Sequence, residues 1–232
     1  MKTSIYIPAD NTSMSKLKTI VSMYNNGTVK PDEIVINVFG VYNEEYVSVL
    51  RSVQELGFDN VIIYARKLDG EMADNRNYAL QHTTGDIVLY HNPKTYPSIK
   101  RVELIKKYFE ENDVYVLHHN VYNYDIYTDN AIKTDNINCI CASELYSRYF
   151  PFGHRESVWS YTKHYGQEFG AKAIDMDSVC VLRGVLAETK WKKPFEIELY
   201  QGFDDGMCYD FCLDTLYKYK KSGILDIPLT IV

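Results

Sequence analysis

The residues able to do chemistry fall into six short clusters rather than one dense motif. In chain order they are Pro8-Ala9-Asp10-Asn11, Asp69-Gly70 with Arg76-Asn77-x-Ala79, Thr84-Gly85-Asp86, His91-Asn92-Pro93-Lys94, Asp175-Met176-Asp177 and Gly202-Phe203-Asp204-Asp205. Small polar residues, a glycine and isolated cations suit an anion, because a few backbone amides and one or two cations can hold a diphosphate. Adjacent carboxylates such as Asp204-Asp205 suit general-base work or, more plainly, the capping of a helix start. The turn after the first apolar run carries no G-x-G-x-x-G, and the chain holds no G-x4-G-K-[ST], G-x-S-x-G or H-E-x-x-H. Dinucleotide-dependent dehydrogenases, P-loop enzymes, serine hydrolases and zinc proteases are thereby disfavoured.

Composition narrows the partners. The 232 residues carry a net charge of −6, and no Lys/Arg run exceeds a pair such as Lys192-Lys193 or Lys220-Lys221. A nucleic-acid partner is not expected from such a chain. The longest apolar stretches, Val179-Leu182 and Ile34-Ile36, fall far short of the roughly 20 residues a membrane span needs. Met1-Lys2-Thr3 runs straight into an apolar strand pattern, which leaves no room for a signal peptide. The five cysteines show no paired metal-ligand spacing, and idle thiols in a reducing cytoplasm are the preferred reading. Most of the 21 tyrosines are expected to pack rather than to bind sugar.

Strand and helix signals alternate through the first hundred residues. Strands are expected at Ser4-Ile7, Glu33-Phe39, Val61-Ala65 and Asp86-Tyr90. Helices are expected after Asn11-Ser15, with Leu17, Ile20, Val21 and Tyr24 on one face; from Asn43, with Val47, Leu50, Val53 and Leu56; over Gly70-Thr83; and over Ser98-Glu111. Such alternation predicts an α/β fold, a mostly parallel, doubly wound sheet with right-handed crossovers. Ligands in these sheets sit outside the carboxyl ends of the strands, here Pro8-Asn11, Asn37-Gly40, Lys67-Gly70 and His91-Lys94. From Val114 the rhythm changes. Val114-Leu117 and Asn120-Tyr127 read as two strands, Thr128-Ser147 as irregular, Asp177-Leu182 as a strand, Gly206-Ser222 as a helix and Ile224-Val232 as a last strand. No linker divides the chain, so a single domain over 1–232 is expected. Residues 1–113 form its ligand-binding half, and 114–232 form a smaller mixed or antiparallel half. The apolar end at Ile231-Val232 suggests a domain cut from a longer protein.

The clusters, taken in order, resemble the family 2 glycosyltransferases of GT-A architecture. That family shows an I-P-x-Y-N strand end, an N-x-G-x-x-x-A-R-N stretch, an A-x-G-D strand entry and a late E-D element before a helix. The matching residues here are Ile7-Pro8-Ala9-Asp10-Asn11, Asp69-Gly70 through Arg76-Asn77, Thr84-Gly85-Asp86 and Asp204-Asp205. The resemblance implies an inverting transferase moving a sugar from a nucleoside-diphosphate donor to a hydroxyl acceptor, expected to be a glycan. Pro8, Asp10 and Asn37 would hold base and ribose, and Gly70, beside Asp69, would let the backbone approach the ligand. Arg76 would face the diphosphate or organise the loop that does, a solvated helix arginine being the plain alternative. Asp205 would be the base that takes the acceptor proton, with Asp204 its neighbour.

The chain departs from the pattern after the fourth strand. The family's D-x-D, which holds a divalent metal such as manganese or magnesium, is replaced by Asn92-Pro93-Lys94. Hard cations want carboxylate oxygens, and a lysine ammonium repels them. Either Lys94 neutralises the phosphates itself, or a metal is held differently, or turnover has been lost. A literal D-x-D at Asp175-Met176-Asp177 stands where the family has no metal motif and is a weak metal candidate. Two other functions stay open. One is a non-catalytic GT-A-like domain that binds a nucleotide or glycan. The other is a sugar nucleotidyltransferase, whose Gly-rich loop after strand one is missing.

Overall fold

Apolar runs with a two-residue or a continuous pattern form the strands, and the longer 3.6-period segments between them form the helices. The computed structural model describes residues 1–10, 13–40, 44–66, 72–122, 179–187, 189–191 and 222–231. β1 (Thr3–Ala9), β2 (Glu33–Phe39), β3 (Val61–Arg66) and β4 (Ile87–Tyr90) alternate with α1 (Leu17–Asn25), α2 (Glu44–Gln54) and α3 (Met72–Gln81). A 3-10 turn over Met14–Lys16 leads into α1. After β4 come β5 (Tyr96–Pro97), α4 (Arg101–Glu111), β6 (Val116–Tyr122), β7 (Cys180–Leu182), a short α5 (Arg183–Leu186) and β8 (Ser222–Ile231).

The eight strands of the described residues share one sheet, ordered β3-β2-β1-β4-β7-β6-β8-β5. β3, β2, β1 and β4 run parallel. β7 then pairs antiparallel with both β4 and β6, β6 pairs parallel with β8, and β5 closes the far edge antiparallel to β8. The expected parallel half and mixed half are both present. β2 and β3 wind outward on one side of β1 and β4 lies on the other, so the topological switch point falls between the carboxyl ends of β1 and β4.

The two sheet faces are chemically unlike. Ile5, Ile7, Ile34, Ile36, Ile87 and Leu89 pack with Leu17, Ile20, Val21 and Ile105 in one aliphatic core under α1, α2 and α4. The alternate residues of the same strands face the side of α3 and include polar and aromatic side chains, Ser4, Tyr6, Glu33, Asn37 and Tyr90. Each large aliphatic side chain buried in the first face contributes about 1.5–3 kcal/mol.

Three expectations shift. Val47, placed on the buried face of α2, is exposed, whereas Leu50 and Val53 are buried as expected. The two strands expected over Val114-Leu117 and Asn120-Tyr127 join in one strand, β6, as far as Tyr122, and 123–127 lie outside the described residues. Its register against β8 slips on both sides of Asn120, and such a bulge breaks the alternation that sequence reading depends on. Ser222, expected to end a helix, already opens β8, while 206–221 lie outside the described residues. No helix among the described residues is long and apolar enough to cross a membrane.

Candidate functional site

At the carboxyl end of β1, Pro8 sits inside a central strand, where a missing N–H would ordinarily cost a ladder bond. Here it costs none. Even-numbered residues of β1 bond toward β4, as Lys2 and Tyr6 do in accepting the N–H groups of Ile87 and His91. Pairing with β4 ends at Tyr6–Tyr90, so Pro8 faces that side beyond the ladder. Asp10 then folds the chain back. Its Oδ1 accepts the Ser13 N–H at 3.0 Å and the Ser13 hydroxyl at 2.8 Å, and its own N–H donates to Ser13 Oγ at 3.0 Å.

Asn37, near the end of β2, is fully buried. Its Nδ2 donates to the backbone and side-chain oxygens of Asn75 on α3, and Asn75 Nδ2 donates to the Ala9 carbonyl at 2.9 Å. Two amides thus lace β2, α3 and β1 together at their carboxyl ends. Asn37 Oδ1 meets no hydrogen-bond partner among the described residues, an unusual condition for a buried acceptor.

Across the switch point, Asn92 to Thr95 forms a tight turn with proline at its second position. The Thr95 N–H donates to the Asn92 carbonyl at 3.0 Å, and the Lys94 N–H donates to Asn92 Oδ1 at 3.0 Å. Lys94 is exposed. Lys16, from the turn that opens α1, donates Nζ to the Lys94 carbonyl at 2.7 Å and lies 4.7 Å from the Tyr96 ring centroid. The Lys16 ammonium is thus seated on the backbone of the turn that carries Lys94. Sequence reading found Lys94 and missed Lys16, because only the fold brings residues 16 and 94 together. Neither Asn92 nor Lys94 offers the carboxylate oxygens a hard divalent cation requires. The described residues contain no group of three His, Cys, Asp or Glu able to hold a metal.

Arg76 belongs to the α3 face. It is 9% exposed, with its guanidinium carbon 4.8 Å from the Trp191 ring and 5.7 Å from the Tyr90 ring. This is a stacked cation rather than a solvated helix arginine. Asn77 clamps the backbone of Trp191 at two points: its Nδ2 donates to the Trp191 carbonyl and its Oδ1 accepts the Trp191 N–H, both at 2.8 Å. Trp191 Nε1 also donates to Tyr6 OH at 3.3 Å. The Arg-Asn pair thus docks the segment around residue 191 on the sheet. Asn77 received no role from sequence reading, although its place beside Arg76 was the available signal.

Thr84-Gly85-Asp86 lies at the opposite, amino end of the strands. The buried Glu33 carboxylate accepts the Ser4 hydroxyl, both donors of Thr84 and the Gly85 N–H. Arg183 Nε donates to the Gly85 carbonyl at 2.7 Å and its Nη2 to Thr83 Oγ1 at 2.8 Å. Asp86 accepts the Lys2 N–H at 2.8 Å. This cluster holds strands together at the end away from the switch point.

Two buried imidazoles flank the carboxyl half. Burial, then the charge of Arg101, holds the His91 pKa well below the usual histidine value, and burial alone takes His118 down to about 4. Asp69, Gly70, Asp175, Asp177, Asp204 and Asp205 lie outside the described residues.

The model of "Glycosyl transferase family 2" matches residues 4–182, more than half of the chain. Comparison with curated protein sequences finds no match. Among solved structures, residues 1–349 of TarS from S. aureus align with a TM-score of 0.68 at 12% identity, covering 100% of this chain and 60% of that one. A mannosyltransferase from Pyrobaculum calidifontis, solved with GDP-Man and Mn2+, aligns at 0.65 and 11%, covering 100% and 56%. Glucosyl-3-phosphoglycerate synthase from Mycobacterium tuberculosis, solved with Mn2+, UDP and phosphoglyceric acid, aligns at 0.57 and 11%, covering 99% and 69%. TarS 1–349 has also been solved with UDP and with UDP-GlcNAc. The shared fold is GT-A, and the chain spans about 60% of the TarS 1–349 chain.

Proposed function

The chain belongs to glycosyl transferase family 2, and from that premise we propose that it moves a sugar from a nucleoside-diphosphate donor to a hydroxyl acceptor, a glycan, with inversion. The observation that carries this reading is the corner between β1 and β4, where Lys16, three residues after the Asp10–Ser13 turn, bonds the backbone of exposed Lys94. A diphosphate seated there meets two cations at the place where open α/β sheets bind ligands. The Pro8-Asp10 backbone forms the base and ribose side of that seat, with Asn37, fully buried and bonded to Asn75, supporting it from behind.

In the reaction the acceptor oxygen attacks the anomeric carbon while the bond from that carbon to the diphosphate oxygen breaks. The acceptor proton passes to a carboxylate, for which Asp205 is the candidate with Asp204 beside it. Charge building on the leaving diphosphate is met by Lys94 and Lys16. The residues standing where the family carries D-x-D do not fit a divalent metal, and no step is assigned to one.

A thermal-shift panel of nucleoside diphosphates without added metal tests the donor reading. Ligand at a hundredfold excess over Kd stabilises by about 2.7 kcal/mol, so UDP or GDP should shift the melting curve clearly. No shift with any nucleotide sinks the proposal. Asp205→Asn should lower kcat by about 10²–10⁴-fold with donor binding retained. The lysine at 94 favours one rival, a domain that binds nucleotide sugar without turnover. That rival is chosen if the wild-type protein binds donor yet neither hydrolyses nor transfers it.

A further inference from the structure

Behind the Asn92–Thr95 turn lies a buried polar cluster that the proposed reaction does not use. Arg101, the first residue of α4, is fully buried under the sheet. Its Nη2 donates to the Tyr90 carbonyl at 2.7 Å and its Nε to His119 Nε2 at 3.2 Å. Its Nη1 donates to Tyr24 OH and, at 2.9 Å, reaches His91 Nδ1.

These contacts fix the proton positions. A guanidinium only donates, so His91 Nδ1 must be the acceptor and carry no proton. Tyr24 OH, receiving from Arg101, lies 2.9 Å from the same Nδ1. The ring proton is left on Nε2, which faces the Thr95 carbonyl at 3.2 Å. The His91 backbone N–H is meanwhile held by the Tyr6 carbonyl of β1 at 3.0 Å. One residue thus ties the entry of the turn to β1 and its exit to a ring whose tautomer is set from below.

We infer that Arg101 and His91 are positioning residues: Arg101 locks His91 as the Nε2–H tautomer, and His91 clamps Thr95 so that Lys94 and Asn92 are presented at the switch point in one geometry. The inference rests on the donor-site reading for its functional consequence, but its structural part stands on its own bonds. A flexible turn would present Lys94 over a range of positions, and a displacement near 1 Å at a binding group costs up to about a hundredfold.

The test uses the intact chain labelled with 15N. Of the signals from six histidines, the set missing in His91→Gln reports His91. It should show a neutral ring protonated at Nε2 across neutral pH. A ring protonated at Nδ1, or one that titrates near the ordinary histidine value, overturns the lock. Amide hydrogen exchange at Thr95 should accelerate in His91→Leu, which removes both ring contacts. It should stay slow in His91→Gln, whose amide can donate to Thr95 and accept from Arg101. Calorimetry with UDP and GDP should show about tenfold weaker binding for His91→Leu and a change within about threefold for His91→Gln. Unchanged exchange and affinity in a folded His91→Leu overturns the clamp, and if that variant does not fold, the wild-type ring spectrum still decides. Failure of wild-type protein to bind either nucleotide sinks the donor-site reading, while spectrum and exchange still judge the lock.

Discussion

The two ends of the same four strands use polar residues in opposite ways. At the amino end, Glu33, Ser4, Thr84, Gly85, Asp86 and Arg183 spend their hydrogen bonds on one another and on the backbone. At the carboxyl end, Lys94 projects into solvent beside Lys16, and Asn37 Oδ1 meets no partner among the described residues. The family signature runs through both ends. Its Gly-Asp portion is there for assembly, and among the described residues the portions at Pro8-Asp10 and Arg76, with the divergent Asn92-Lys94 turn, stand at the carboxyl end. A motif match therefore names a fold and a site together, and burial is what separates them.

The largest expected effect comes from breaking the amino end. A Cβ on Gly85 would stand 2.5 Å from Ser4 Oγ, 2.8 Å from Ser4 N and 2.9 Å from Thr3 C. Two of those atoms are backbone of a central strand and cannot yield cheaply. Gly85→Ala should cost about 3 kcal/mol or more, lowering Tm by roughly 6–12 °C for a chain of this size. The UDP affinity of the folded fraction should not change. A variant that melts normally but loses nucleotide would reverse the division between the two ends.

Acid attacks the other half. His118 is held down to about 4 by burial and His91 is lowered in the same direction. Between about pH 6.5 and about pH 4 the unfolded chain therefore binds protons that the folded chain refuses. Stability is present above the ordinary histidine value and is lost as pH falls through this window. At 1.36 kcal/mol per unit, His118 contributes on the order of 3 kcal/mol. Urea unfolding at stepped pH should show the decline, and His118→Gln should flatten part of it. A flat profile would mean that the rings are protonated in the folded protein.

Lys94→Ala should separate binding from stability. The side chain is exposed, so the melting temperature should stay within the equivalent of about 0.5 kcal/mol. Loss of one charge-assisted contact is worth about 1.5 kcal/mol or more, so UDP affinity should fall about tenfold. Calorimetry and melting on the same sample decide the point. An affinity that does not move removes Lys94 from the site.

How much of this was legible in sequence follows from range of interaction. β2 was read to the residue because its mostly apolar run is short and bounded by turns. α1 was legible because its apolar stripe recurs at helical spacing. Lys16, the Asn37–Asn75 lacing and the Asn77–Trp191 clamp were not, because each joins residues 38 to 114 positions apart. β6 was split in two because its bulge hides the alternation. Arg101 reads in sequence as an ordinary first-turn residue of a helix, and nothing local announces that it is buried.

The smallest expected effect is that of a chelator. Asn92 Oδ1 is engaged with the Lys94 N–H, and the Lys94 ammonium repels a divalent ion. At about 5 Å that repulsion is roughly 2 kcal/mol in water and 6–7 kcal/mol at an effective dielectric near 20. EDTA should therefore leave UDP affinity and transfer unchanged. The converse variant sharpens the point. Asn92→Asp with Lys94→Asp removes the ammonium and supplies two carboxylates on a turn already shaped by the same backbone bonds. One oxygen of Asp at 92 can keep the N–H of residue 94 while the other faces the ligand. Nucleotide binding by this double variant should become manganese-dependent, at a cost in metal-free affinity. If EDTA instead abolishes wild-type transfer and manganese restores it, Lys94 is not the neutralising group. The ligands must then be sought among carboxylates elsewhere in the chain, Asp175 and Asp177 first.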